Sequence, residues 1–302
     1  MQKTQARQPN PSDSAGGAVA AVGAPAPNLA RVQIGERLRR FGGAVWRPLL
    51  LLALLGVVWW FVTAQEMVER YLVPTPGSVL EVLWNERSMF MEHSYVTFYE
   101  TVIGFLIAAA VGVLSAVLIV YSATAERTLY PIILFAQVIP KIAIAPILVV
   151  WFGTGLSPKI ILAVLIAFFP VVISGVAGLR ATDPELLDLS ATMGASRIKV
   201  FVKVRFPGAL PQLMSGLKVA VTLAVVGAVV GEFVGASEGL GYVLLQASGN
   251  LDSALLFADL ILMSAIGIVL FVAIEALEAL LIPWHASRRQ TDGGTAALAT
   301  TS

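Results

Sequence analysis

Cysteine is absent from the 302 residues, and histidine occurs only as His93 and His285. The first absence removes disulfides, thiolate metal sites and cysteine nucleophiles. The two histidines stand far apart in sequence and make no zinc site by themselves. Charge is scarce too: Asp, Glu, Lys and Arg together make up 13%, and the net charge is +1. A nucleic-acid binder would carry a concentrated basic surface, which this balance does not supply. The dipeptide Gly-Lys never occurs, so the chain has no Gly-x-x-x-x-Gly-Lys-[Ser/Thr] phosphate loop. What fills the sequence instead is apolar: 57% hydrophobic residues, against roughly 45–50% in an ordinary soluble domain. A globule of this size cannot hide that much apolar surface from water, and the expected solvent is lipid.

The expected fold is all-α, a polytopic membrane bundle of about six helices occupying residues 46–285. Residues 1–45, rich in Ala, Pro, Gly and Ser at their start, read as a disordered N-terminal segment, and 286–302 as a polar tail. The N-terminus lacks the pattern of a secretory signal. Six stretches are long enough to cross about 30 Å of hydrocarbon. They run from near Pro48 to Thr63, Thr101 to Tyr121, Leu129 to Phe152, Ile160 to Gly178, Leu213 to Val234 and Leu255 to Ile282. The third is interrupted by Pro140, Lys141 and Pro146. Fifteen of the twenty Lys and Arg residues fall in the N-terminal segment, the second and fourth connections and the tail. That bias places both termini in the cytoplasm. Arg70, Arg87 and Lys159 fall on the outer side. There, Val79, Leu80, Leu83 and Trp84 recur at helical spacing and predict a short amphipathic helix after Val73-Pro74-Thr75-Pro76-Gly77.

Ionisable residues inside spans are costly and face a cavity or the bundle interior. Lys141 follows Pro140, whose ring leaves backbone groups unpaired; it is a candidate for the solute path, where its ammonium would suit an anion, or for a structural ion pair. Glu232, near the outer end of the fifth span, is a further candidate for that path with Pro140 and Lys141, or is placed to pair with Lys141, to meet a partner or to reach water. Asp259 is expected at the outer interface, and Glu275 and Glu278 in solvent. Gly227 and Gly231 permit close helix packing, either within the subunit or at a dimer seam or pore wall. No metal site and no catalytic constellation is expected.

The long connection from Arg180 to Pro211 is the most informative stretch. Asp183-Pro184 supplies an N-cap and a first-turn proline, predicting a helix from Pro184 to about Met193. Gly194 allows a sharp turn, and a second short helix should run toward Phe206 before Pro207 and Pro211 stop it. The run Asp188-Leu189-Ser190-Ala191-Thr192-Met193-Gly194, nine residues, then Val204-Arg205-Phe206-Pro207 resembles the "EAA" loop of binding-protein-dependent ABC importer permeases. The Gly-to-Pro spacing fits, whereas Asp and Leu-Ser replace the family's Glu and Ala-Ala. The resemblance extends through Ala145-Pro146-Ile147-Leu148 and Gly235-Ala236-Ser237-Glu238-Gly239-Leu240-Gly241-Tyr242, which look like the nitrate, taurine and alkanesulfonate branch.

The resemblance implies an inner-membrane permease and not an enzyme. Its coupling loop, with Asp188, Ser190, Ala191, Gly194, Arg197, Lys199, Val204, Phe206 and Pro207, would dock on a separate ATPase subunit. ATP would be bound and hydrolysed there, leaving this chain without a cofactor. A second permease copy, most simply a homodimer, and an extracytoplasmic solute-binding protein complete the implied assembly. The solute would be nitrate, a sulfonate or taurine, or else a pyrimidine vitamin precursor, riboflavin or an aromatic carboxylate. The competing reading is a self-sufficient secondary transporter or channel; a membrane enzyme or a passive scaffold fits the residues less well.

Overall fold

The structure, a computed structural model, describes residues 50–69 and 71–282. The expected disordered segment 1–45, the tail 286–302 and the start of the first span at Pro48 lie outside the described residues. The chain divides into two units, Met1–Val58 and Trp59–Ser302. Of the first, only the opening turns of α1 (Leu50–Ala64) are described; all that follows concerns the second.

Ten further helices follow, and no strand occurs among the described residues. They are α2 (Pro76–Asn85), α3 (Arg87–Tyr121), α4 (Ala123–Ala136), α5 (Ala145–Phe152), α6 (Leu156–Arg180), α7 (Pro184–Thr192), α8 (Arg197–Val200), α9 (Phe206–Phe233), α10 (Leu240–Gly249) and α11 (Ser253–Leu281). Four rods are long and apolar enough to cross a membrane: α3, α6, the Arg197–Phe233 rod that contains α9, and α11. A fifth crossing is the pair α4 and α5, bent by 86°. The described α1 has 15 residues, about 22 Å of helix, short of a full crossing. Six expected spans thus become four straight ones, a broken one and a short one.

The break in the third span falls where the prolines predict it. Pro140 is extended, and a 3-10 turn, Lys141–Ile144, leads into α5. Lys141 Nζ donates to the Gln137 carbonyl at 2.6 Å and lies 4.5 Å from the centre of the Phe169 ring. The ammonium thereby occupies one of the acceptors that the break exposes. At the opposite face of the bundle α2 begins on a Thr75 cap, its hydroxyl accepting from Ser78 N at 3.2 Å, with Pro76 at the first helical position. Val79 is buried while Leu80 and Trp84 are exposed, the amphipathic pattern expected.

Two boundaries and one side chain differ from expectation. First, α3 starts at Arg87 rather than Thr101, carrying the polar residues 87–100 as a helical extension of the span. Second, Pro207 and Pro211 stop nothing, and Arg197–Phe233 is one 37-residue rod. A π-turn at Phe201–Arg205 precedes Pro207, with Phe206 N donating to Phe201 O. That wider register lets the ladder pass a residue that has no N–H to offer. Third, Glu278 is not solvated: it is half-buried and pairs with Lys218 on α9 at 2.5 Å. Glu275 is exposed, as expected.

α6 lies at the centre, between α3 and α9. Ala108, Ala167, Val171, Ala220, Val221 and Ala224 form the core between these three helices, and their small size sets short interaxial distances. The ambiguity over Gly227 and Gly231 resolves to packing within the subunit, against α6. A Cβ on Gly227 would sit 2.6 Å from the Ala163 Cα, and one on Gly231 2.8 Å from the Lys159 Cα. Because backbone and not side chain opposes them, neither site can absorb a larger residue by a rotamer change. Gly227→Val is therefore expected to force the helices apart at a cost of about 1–3 kcal/mol, read as a lower melting temperature of the detergent-solubilised protein. Gly267→Val is the control, since nothing lies within 4 Å of that position.

Candidate functional site

Two polar constructions stand at opposite ends of the bundle. The first is the loop between α6 and α9. Asp183 caps α7, its carboxylate accepting from Glu185 N at 2.9 Å, with Pro184 in the first turn. The helix ends in a left-handed residue, Gly194, at φ +71°. Ala195 N donates to Ser190 O at 3.1 Å and Gly194 N to Ala191 O at 3.0 Å, the paired bonds that close a helix on glycine. Ser196 then caps α8, its hydroxyl accepting from Lys199 N at 3.4 Å. Every backbone turn in this segment is thus specified by a local side chain or glycine.

The predicted loop residues separate into two groups. Asp188, Ala191, Gly194, Arg197 and Lys199 are exposed, whereas Ser190, Val204, Phe206 and Pro207 are partly buried. Of the second group Ser190 lies within α7, and Val204, Phe206 and Pro207 form the root of the loop. There Phe201 meets Tyr121 edge-on at 5.4 Å and Phe206 at 5.8 Å, while the Arg205 guanidinium stands 5.7 Å from the Tyr121 ring. Arg180 pairs with Glu126 at 2.5 Å and covers Tyr130 at 5.2 Å; both charged groups are well exposed, so the pair adds little stability. The exposed group carries an apolar edge. Leu186 (50% exposed), Leu189 (57%), Met193 (77%) and Ile198 (76%) stand out from a rigidly seated loop. Among the described residues Asp188, Arg197, Lys199 and Lys203 form no ion pair.

The second construction lies at the far end of α9. Glu232 is buried, but it does not meet Lys141. Its Oε1 accepts from the Thr97 hydroxyl at 2.7 Å and its Oε2 from Gly241 N at 2.6 Å. The Thr97 oxygen in turn accepts from Leu240 N at 2.8 Å, and His93 Nδ1 from Gly239 N at 3.0 Å. Three consecutive N–H groups at the start of α10 are satisfied by side chains from α3 and α9, because α10 has no local side-chain cap. Free amides at a helix start need such partners, and the positive end of the helix favours a carboxylate. Gly239 holds φ +106°, and a Cβ there would run into the Glu232 carboxylate.

Beside this cap Lys159 Nζ pairs with Glu100 Oε1 at 2.8 Å, their side chains 6% and 0% exposed. Lys159 was expected in an outer loop; instead the first turn of α6 carries it into the bundle. Glu100 was passed over, although a carboxylate followed directly by an apolar span marks an interior position. Asp259, expected at an interface, is fully buried with neither oxygen partnered.

Residues 102–284 match the family described as binding-protein-dependent transport system inner membrane component. The chain belongs to that family. This permease is 39% identical to a probable ABC transporter permease protein of Haemophilus influenzae, over 76% of its own length and 94% of the relative's. It shares 37% identity with the formylaminopyrimidine transport permease protein ThiX of Halalkalibacterium halodurans, over 79% and 95% of the two chains. In fold it resembles the inward-facing MetNI methionine ABC transporter, with a TM-score of 0.58 at 21% identity over 65% of this chain and 98% of that one. The protein is accordingly a multi-pass membrane permease component of an ATP-driven importer, and the expected branch stands, with taurine and aliphatic sulfonate transport permeases among its relatives.

The tertiary cap makes α10 depend on α3. Thr97→Val removes both the acceptor for Leu240 N and the donor to Glu232 while keeping the shape of the side chain. The expected loss is about 1–3 kcal/mol for each buried group left unpaired. Hydrogen exchange should show faster amide exchange at Leu240 and Gly241, with α7 unchanged.

Proposed function

We propose that the segment 183–207 is the seat of the ATPase subunit, with Asp188, Ser190, Ala191 and Gly194 forming the docking turn and Arg197 and Lys199 its charged flank. Val204, Phe206 and Pro207 serve as the root that passes motion into the Arg197–Phe233 rod. One observation carries this reading: an exposed apolar edge, Leu186, Leu189, Met193 and Ile198, stands on a loop whose root is locked by aromatic and cation–π contacts. Apolar side chains grouped on a fixed polar loop are what a protein partner would bury. The unpaired basic residues beside them suit acidic groups on that partner.

The chain itself is then not an enzyme; ATP is bound and hydrolysed by the separate subunit, as the missing Gly-Lys dipeptide supports. The positive-inside bias puts this loop and both termini in the cytoplasm. The opposite face, with α2 and α10, is left for an extracytoplasmic solute-binding protein, and a second copy of this chain completes a homodimeric permease. Within each copy the solute path runs past the break at Pro140 and Lys141. The buried cap around Glu232 supports a positioning role for that residue rather than one in the path. Among solutes we place pyrimidine-type vitamin precursors ahead of taurine, sulfonates and nitrate, on the 37% identity to a formylaminopyrimidine permease.

Gly194 provides the test. Its φ of +71° excludes most side chains, and Asn tolerates this region far better than others. With the full importer expressed together, an ATPase subunit is expected to co-purify with the wild type and largely with Gly194→Asn. Leu189→Asp, which leaves the backbone unchanged, should lose the ATPase and uptake at equal membrane expression. Uptake that survives Leu189→Asp with no ATPase bound would point to a self-sufficient transporter.

A further inference from the structure

The buried group of Glu100, Glu232 and Lys159 does not balance its charge. One ammonium stands among two carboxyls: Lys159 pairs with Glu100, while Glu232 accepts from Thr97, one turn before Glu100 on α3, and follows Gly231, whose backbone lies against Lys159. All three are at least nine-tenths buried. Every other titratable or charged group facing them is accounted for. On α3, His93 accepts a backbone N–H through Nδ1 and is therefore unprotonated at that nitrogen. From the turn before α10, Glu238 offers its backbone carbonyl to Lys159 at 3.4 Å. On α10, Tyr242 stands 6.0 Å from His93, ring centre to ring centre.

The two carboxyls differ in how they are served. Both Glu232 oxygens already accept hydrogen bonds, and they sit at the start of a helix, where negative charge is favoured. Glu100 accepts from Lys159 through Oε1, but its Oε2 is fully buried and has no partner. Two bare carboxylates side by side in an apolar interior repel, and a lone buried acceptor costs the full loss of its water. A hydrogen atom on Glu100 Oε2 removes both costs together.

We propose that Glu100 and Glu232 form a proton-binding site, with one proton resident on Glu100 Oε2 and donated to the Glu232 carboxylate. The triad with Lys159 is then neutral: an ammonium, a carboxylate and a carboxylic acid. The proton is a fixed part of the structure that joins α3, α6 and α9 and holds the cap of α10, whatever solute the permease carries.

Infrared spectroscopy of the reconstituted protein at neutral pH tests this. The wild type should show a protonated-carboxyl C=O stretch that is missing from Glu100→Gln. The amide of Glu100→Gln still accepts from Lys159 and still donates to Glu232, so this variant should keep wild-type melting and uptake. Glu232→Gln should also lose the band, because Glu100 then becomes the sole counter-ion of Lys159. It should melt lower, since one amide oxygen cannot accept from both Thr97 and Gly241. Asp259 is a second buried carboxyl, and its contribution cancels in the difference spectrum between wild type and Glu100→Gln. A difference spectrum with no carboxyl band overturns the proposal. So does a melting temperature that depends on Na+ concentration in its place, which would mean a bound cation. A Glu100→Gln protein that cannot be recovered folded overturns it as well, because a neutral replacement for a neutral acid must be tolerated.

Discussion

The close approach of α6 and α9 is the contact on which the remaining arrangement rests. Gly227 and Gly231 let the α9 backbone lie against Ala163 and Lys159 of α6. In lipid nothing resembling the hydrophobic effect draws two helices together, so small residues and van der Waals contact must do it. The position of Lys159 follows from that contact. Gly231 pins its backbone, and Glu232, the next residue on α9, is brought to the same depth. Glu100 on α3 completes the group, since α3 packs on α6 through the same core of alanines and valines. A bulkier residue at Gly227 would therefore reach beyond packing, because it would move an ammonium away from its carboxylate in a medium that cannot solvate either.

The same rod joins the two polar constructions. Arg197–Phe233 is unbroken and about 55 Å long at 1.5 Å per residue. The proposed docking turn precedes its first residue, and the α10 cap follows its last turn. On that proposal a displacement of the loop root reaches Glu232 without an intervening hinge, apart from the π-turn at Phe201–Arg205. That turn is also where Tyr121 of α3 is gripped by Phe201 and Arg205. The wider helical register sits at the one place where the rod must both pass a proline and hold a second helix. π-turns are uncommon and tend to occur at functional positions.

Much of this was legible in the chain, and each failure has its own physical cause. The apolar runs located the membrane helices, Pro140 located the break, and Asp183-Pro184 with Gly194 located α7 and its end, because each depends on residues within a few positions. Lys159 and Glu100 were misplaced or missed because a count of apolar residues ends a span at the first charge. In the fold that charge is satisfied by a helix distant in sequence, 59 positions away in the case of Lys159 and Glu100. Pro207 was misread for the opposite reason. The local rule against proline in helices is correct for an α-turn, and the π-turn before it removes the premise. The α10 cap was invisible for a simpler reason: two of its three partners, His93 and Thr97, come from 146 and 143 positions away.

The two ends of the bundle consequently have opposite character. Around Glu232 nearly every polar atom is partnered inside the chain, and the exceptions, Glu100 Oε2 and Thr101 Oγ1, are themselves buried. Around Gly194 the charges are unpaired and the apolar side chains point outward. A permease needs both. The satisfied end must hold its geometry in a medium where a broken hydrogen bond finds no water to replace it, so it behaves as a fixed joint. On the proposed function the unsatisfied end gains by binding, because contact with an ATPase subunit buries Leu186, Leu189, Met193 and Ile198 and offers counter-charges to Arg197 and Lys199. On that same proposal, energy released at the loop passes along the Arg197–Phe233 rod to a joint that resists deformation, and motion is expected as rotation of α9 with its neighbours rather than as melting of α10.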